Sequence, residues 1–185
     1  ATAENLHPTR LPQLKAQFRQ TLEYALICKT EALSLEVMIR WHLWLMGDGL
    51  DPDAGNLRSH SGRILCAPES IEQRIQELCH VLENQLLPQI RANATDSKKI
   101  ATFAGLTFVG IHDIAPFAEG NCLFARIAIN WALRRCGFPC CISLYGSETE
   151  ARVFKIVMAE LTLQNLCLHP HGQLDDADIA WVVGY

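Results

Sequence analysis

Hydrophobic positions recur at helical spacing along most of the chain. Leu14, Phe18, Leu22 and Leu26 stand four residues apart with Ala25 beside them, which predicts a first helix. A second is predicted from about Leu33 to Met46, with Val37, Trp41, Trp44 and Leu45 as its apolar face and Gly47-Asp48-Gly49 as its stop. Residues 47–62 are rich in glycine and aspartate and read as a long loop, after which Arg63-Ile64-Leu65-Cys66 could form a short strand. Pro68-Glu69-Ser70 opens a third helix whose stripe is Ile71, Ile75, Leu78, Leu82 and Leu86. Thr95 or Asp96 caps a fourth, with Ile100, Phe103, Leu106, Thr107, Ile111 and Ile114 inward and Pro116 as its breaker. A fifth begins at Gly120-Asn121 and carries Leu123, Phe124, Ile127, Ile129, Trp131 and Leu133. It is apolar nearly all round, so it is expected at the centre, and Gly137-Phe138-Pro139 ends it. Glu148 to about Leu163 predicts a last helix, and Ile179 to Val183 a short terminal strand. Without βαβ alternation, the expected class is mainly α.

Composition adds bounds to this picture. At 185 residues, 1–185 is expected to be a single domain, large enough to bury a core without disulfides. With 49% apolar and 19% charged residues the chain is not a disordered one. A net charge of −4 argues against a general nucleic-acid binder, which needs a basic face for phosphates. No apolar run approaches a membrane span and no signal peptide opens the chain, so no membrane partner and a cytoplasmic location are expected. The eight cysteines form no C-x-x-C pair, which favours free thiols in a reducing compartment over a zinc or disulfide framework. The sequon Asn93-Ala94-Thr95 is then a chance match, and His169-Pro170-His171 is weak evidence for a metal.

Candidate chemistry concentrates in the segment from Ile114 to Arg126. One helix ends at Pro116, an acidic residue follows, and a very apolar helix starts at Gly120-Asn121. The N–H groups of a helix start attract anions such as phosphate, so Gly120, Asn121 and Cys122 are candidate phosphate ligands. Glu119 could hold a divalent cation that bridges the phosphate, and Arg126 could reach the same anion. The residues alone also fit a purely structural helix–turn–helix with Glu119 on its surface. His112 lies one turn before Ala115 and could serve as a base, or as a cation favoured by the helix end. Cys122, in a first turn, gains thiolate character, which makes it either a nucleophile or a small packing residue.

The segment resembles the signature of the Fic/Doc family, H-P-F-x-[D/E]-G-N-G-R-x-x-R between two helices. Pro116, Phe117, Glu119, Gly120, Asn121 and Arg126 fall in register. Ile111 and Ile114 match the I-x-x-I that often precedes it, and Leu133, Gly137 and Pro139 the L-x-x-x-G-x-P that often follows. Upstream, Ala54-Gly55-Asn56-Leu57-Arg58 resembles the family's A-G-x-[YL]-R, after Trp41-His42-Leu43-Trp44-Leu45 in the place of its L-H-x-x-L-like helix. The likeness spans about 30–142 and implies a Fic-type helical bundle, with 143–185 as a C-terminal helix and tail. It places a small β-hairpin flap, which lines up the target, at Arg63, Ile64 and Leu65. The implied activity is transfer of a phosphate-containing group, typically AMP from ATP, onto the hydroxyl of a protein or small molecule. Glu119 would hold Mg²⁺, and Arg126 with the amides of Gly120, Asn121 and Cys122 would hold the phosphate of ATP or another phosphorylated donor.

Three positions depart from that signature. Ala115 stands where the family has its base His, Cys122 replaces the second glycine and Leu123 the first arginine. Ala115 fits either a naturally inactive chain or a His changed to Ala. Leu123 removes a phosphate ligand, and Arg58 is a candidate to replace that contact. These departures keep two other readings open, an enzyme repurposed for a non-nucleotide substrate through His112 or Cys122, and an inactive binding module. A weak likeness to the family's inhibitory motif falls on Thr30 to Leu35, with Ser34 where its Glu would be.

Overall fold

The computed structural model describes residues 10–60 and 66–138. The chain divides into two compact units, Ala1–Cys140 and Cys141–Tyr185, and the described residues lie in the first. They form α1 (Arg10–Ile27), α2 (Leu35–Met46), α3 (Ile71–His80), a π-helical segment (Val81–Leu86), α4 (Leu87–Ala92), α5 (Ser97–Ile114) and α6 (Asn121–Arg135). The mainly α class is therefore observed, with an isolated antiparallel bridge between Leu57 and Phe117 among the described residues. Arg63, Ile64 and Leu65 lie outside the described residues, as do the helix expected at 148–163 and the strand expected at 179–183.

Helix starts follow side-chain chemistry. The Ser34 hydroxyl accepts from the Val37 N–H and caps α2, and the Asp96 carboxylate accepts from the Lys99 N–H and caps α5. Ser34 is thus a structural cap. The loop before it is tied down from the other side of the bundle, where Glu83 accepts from the Leu33 N–H (2.9 Å) and from Arg135 (2.6 Å). Arg135 also donates to the carbonyls of Lys29 and Glu31 and lies over the Trp131 ring.

Helix α6 packs mainly on α5 and α1, and α2 closes its remaining side. Trp41 of α2, Phe103 of α5, and Phe124 and Trp131 of α6 are fully buried and meet ring to ring, with Trp41 and Trp131 centroids 6.1 Å apart. Truncating a buried aromatic of this kind costs roughly 3–5 kcal/mol, so this cluster is a main anchor of the three helices. Two sequence expectations need correction. Trp44 is 39% exposed and stands edge-on to Tyr24, because the buried face of α2 runs through Val37, Met38, Trp41, His42, Leu45 and Met46. On the third helix the stripe ends not on Leu86 but on Leu87 and Ile90. The Leu87 N–H reaches back five residues to the Leu82 carbonyl, and this wide turn moves the inward position along by one.

Candidate functional site

Helix α5 ends at Ile114, and Ala115 reverses the chain in the left-handed conformation (φ 43°, ψ 65°). Gly120 reverses it again (φ 74°) immediately before α6. Between them, the Asn121 side-chain amide accepts from the Phe117 N–H (3.0 Å) and donates to the Phe117 carbonyl (2.7 Å), which closes the turn on itself. The first bond of α6 runs from the Phe124 N–H to the Gly120 carbonyl. The amides of Asn121, Cys122 and Leu123 precede it and have no acceptor within the helix.

Two buried side chains hold this turn from outside. His42 is fully buried, stacked on Phe117 with ring centroids 3.7 Å apart. Its Nδ1 accepts from the Gly55 N–H (3.0 Å), which leaves Nε2–H to donate to the Glu119 carbonyl (3.0 Å). Burial outweighs that carbonyl's pull and brings the imidazole down to about 4, so it is neutral at neutral pH. Arg58 is the second. Its guanidinium donates to the carbonyls of Ala115 (2.7 Å), Ile114 (3.2 Å), His60 (3.0 Å) and Cys66 (2.5 Å), and its backbone N–H donates to Pro116. Arg58 therefore does not replace the phosphate contact missing at Leu123. It is committed to the backbone, neutralising the carbonyl end of α5.

In the sequence His42 and Arg58 stand out only as landmarks of a family likeness, and their positioning role is not legible there. The available signal was their place in the L-H and A-G-x-[YL]-R segments, since neither burial nor carbonyl contacts can be read from residue type alone. Gly120 is also fixed by packing, because a Cβ there would lie 2.8 Å from the Met46 sulfur and 3.3 Å from His42 Nε2.

Of the candidate residues, Glu119 is exposed beside the turn, and Arg126 lies one turn along α6 from Cys122. Ala115 is buried and carries no proton-accepting group. His112, in the last turn of α5, and Cys122, in the first turn of α6, act on each other: the thiol raises His112 against the opposing effect of burial, with the Asp113 charge assisting, and the imidazole lowers Cys122, with Arg126 assisting. Among the described residues no three His, Cys, Asp or Glu side chains are grouped to hold a metal. Glu119 is a single exposed carboxylate beside the start of α6, which is the number of protein carboxylates Mg²⁺ commonly takes when phosphate oxygens and water complete its shell. Among the described residues no helix is long and apolar enough to cross a membrane.

The Fic/DOC family profile matches residues 32–133, more than half of the chain. The chain belongs to the Fic/DOC family. Among solved structures it is similar to a fragment of Fic-1 from C. elegans, at 19% identity and a TM-score of 0.68, covering 91% of this chain and 46% of that one. A single-substitution variant of the same fragment is similar at 19% identity and a TM-score of 0.65, covering 92% and 46%. The chain thus spans less than half the length of these structures, and at this identity they establish the fold. No curated protein sequence matches.

Proposed function

We propose that the chain is a Fic-fold transferase that holds a phosphate-containing group at the start of α6 and moves it onto a hydroxyl of a protein or small molecule. The observation that carries this reading is the anchoring of the turn. His42, Arg58 and Asn121 all hold backbone around residues 114–121, so the amides of the first turn of α6 are preorganised for an anion. Arg126 adds positive charge one turn further on. Glu119 would hold Mg²⁺, which supplies charge neutralisation on the phosphate oxygens. By the family likeness, residues 63–65 would line up the acceptor. Ala115 cannot take the acceptor's proton, and His112 is the group nearby that can.

Leu123 presents no charge where the family has an arginine. A lost charge-assisted contact is worth roughly 1.5–3 kcal/mol, so triphosphates should gain little over donors with fewer phosphates. A catalyst repurposed for a non-nucleotide substrate is the second reading, favoured by the pairing of His112 with Cys122. Titration calorimetry with ATP, ADP, AMP and inorganic phosphate, each with Mg²⁺, tests the assignment. Arg126→Ala should weaken the phosphorylated ligands by roughly tenfold or more, since loss of a bond to a charged group exceeds about 1.4 kcal/mol. Unchanged affinity in Arg126→Ala would remove that residue from the site, and no phosphate binding by either protein would defeat the reading.

A further inference from the structure

We propose that the cavity between α1 and α2 is a second recognition site, which binds a guanidinium group carried by a small molecule or by an arginine side chain of a peptide. Gln17, Thr21 and Tyr24 of α1, Trp44 of α2 and Asp48 of the loop that follows line a cavity of about 630 Å³. That volume lies within the range of small-ligand pockets. The lining is drawn from α1, α2 and the loop at 47–48 rather than from the phosphate turn, so the proposal stands apart from the reading above.

The polar groups fixed in this lining are acceptors. Gln17 is 7% exposed, and its Nε2 donates to the Gly47 carbonyl (3.0 Å) and to Asp48 Oδ2 (3.4 Å). Its Oε1 is left buried with no hydrogen-bond partner among the described residues, which is costly until a donor arrives. The buried Thr21 hydroxyl spends its proton on the Gln17 carbonyl (2.8 Å) and has lone pairs to offer. Asp48 supplies the formal charge of the lining, a negative one. Its backbone is left-handed (φ 52°) and is held by Gln13, whose Nε2 donates to the Asp48 carbonyl (2.8 Å). Asp48 also follows the C-terminal end of α2, where the helix dipole favours a cation.

The aromatic side of the cavity narrows the choice of cation. Trp44 keeps much of its ring in solvent, and Leu43 beside it is also exposed. Trp44 meets Tyr24 at 83° with ring centroids 4.3 Å apart, so the two rings form an apolar corner near the Asp48 carboxylate. A guanidinium is planar and weakly hydrated. It stacks on aromatic rings while its fork of N–H groups reaches carboxylate and amide oxygens together. An ammonium carries the same charge without a plane to stack. An anion would meet the Asp48 carboxylate instead.

The test is calorimetry on the whole chain with butylguanidine, butylamine, butylurea and the tripeptide acetyl-Ala-Arg-Ala-amide. Butylguanidine should bind saturably, in the millimolar range or tighter. Butylamine should bind more weakly, and the neutral butylurea roughly tenfold more weakly or less. A tripeptide that binds more tightly than butylguanidine identifies a protein-borne arginine as the ligand, and one that binds more weakly identifies a small molecule. Asp48→Asn and Asp48→Gly both suit a left-handed backbone and should weaken butylguanidine by about tenfold. Trp44→Ala should weaken it by about two- to fivefold. Inorganic phosphate should bind these variants as it binds the native chain, which keeps the two sites distinguishable. No binding of either guanidinium probe overturns the proposal. So does butylamine or butylurea binding as tightly as butylguanidine, or affinity that is unchanged in both Asp48 variants.

Discussion

Acidification should loosen the bundle through His42. Its imidazole falls from an ordinary 6.5 to about 4 because the ring is sealed between Phe117, the Gly55 N–H and the Glu119 carbonyl. The sign follows from proton counting. Between these two values the unfolded chain binds a proton that the folded chain refuses, so stability falls as pH falls through that window. For a single group shifted this far, the loss between about pH 7 and pH 5 is roughly 2 kcal/mol. Other groups titrate in the same range, so the quantity to isolate is the difference between the native chain and His42→Gln, which keeps a donor near Nε2 but does not titrate. At about pH 7 the variant should be less stable by about 1–3 kcal/mol, because the Gly55 N–H loses its acceptor. That gap should shrink by roughly 2 kcal/mol when urea unfolding is repeated near pH 5. A gap that stays constant within about 0.5 kcal/mol across the range would refute a buried, neutral His42.

The other predictions concern the same turn and are checked by urea unfolding at neutral pH. Ala115→Gly should stabilise the chain by about 0.5–1 kcal/mol, because the left-handed backbone penalty of a non-glycine residue exceeds the extra chain entropy of glycine. Arg58→Lys should cost roughly 3 kcal/mol, since one ammonium cannot serve the four carbonyls the guanidinium reaches. Asn121→Ala should cost about 1–3 kcal/mol through the two lost bonds to Phe117, and should also weaken phosphate binding by loosening the cradle.

Much of the scaffold was legible because its determinants are local. The stops at Gly47 and Pro116, the Asp96 cap and the start of α6 at Asn121 all depend on residues within one turn of the boundary. The inward stripe failed at Leu86 because a π turn leaves no mark in a four-residue count. Trp44 failed because hydrophobicity alone does not say which of two adjacent faces meets the core. In the site, the signature residues could be lined up through their resemblance to the family signature. The commitment of Arg58 to backbone carbonyls could not, since its partners are up to 57 residues away in sequence. The meeting of His112 and Cys122 was similarly hidden. Each was a candidate alone, and only the reversal between α5 and α6 makes them neighbours.

The wide turn at Val81–Leu86 also bears on how this chain is to be aligned with others. A π turn is an α-helix that has absorbed one extra residue without breaking. Upstream, Ile71, Ile75 and Leu82 keep one register. Downstream, Leu87 and Ile90 keep another, offset by a single position. A relative lacking that residue would present the same two apolar halves on an unbroken four-residue rhythm. A gap placed in a neighbouring loop would then misassign every inward position on one side of it. Homologous sequences are therefore best brought into register with a one-residue gap inside residues 81–86, kept clear of Glu83, whose carboxylate clasps Leu33 and Arg135.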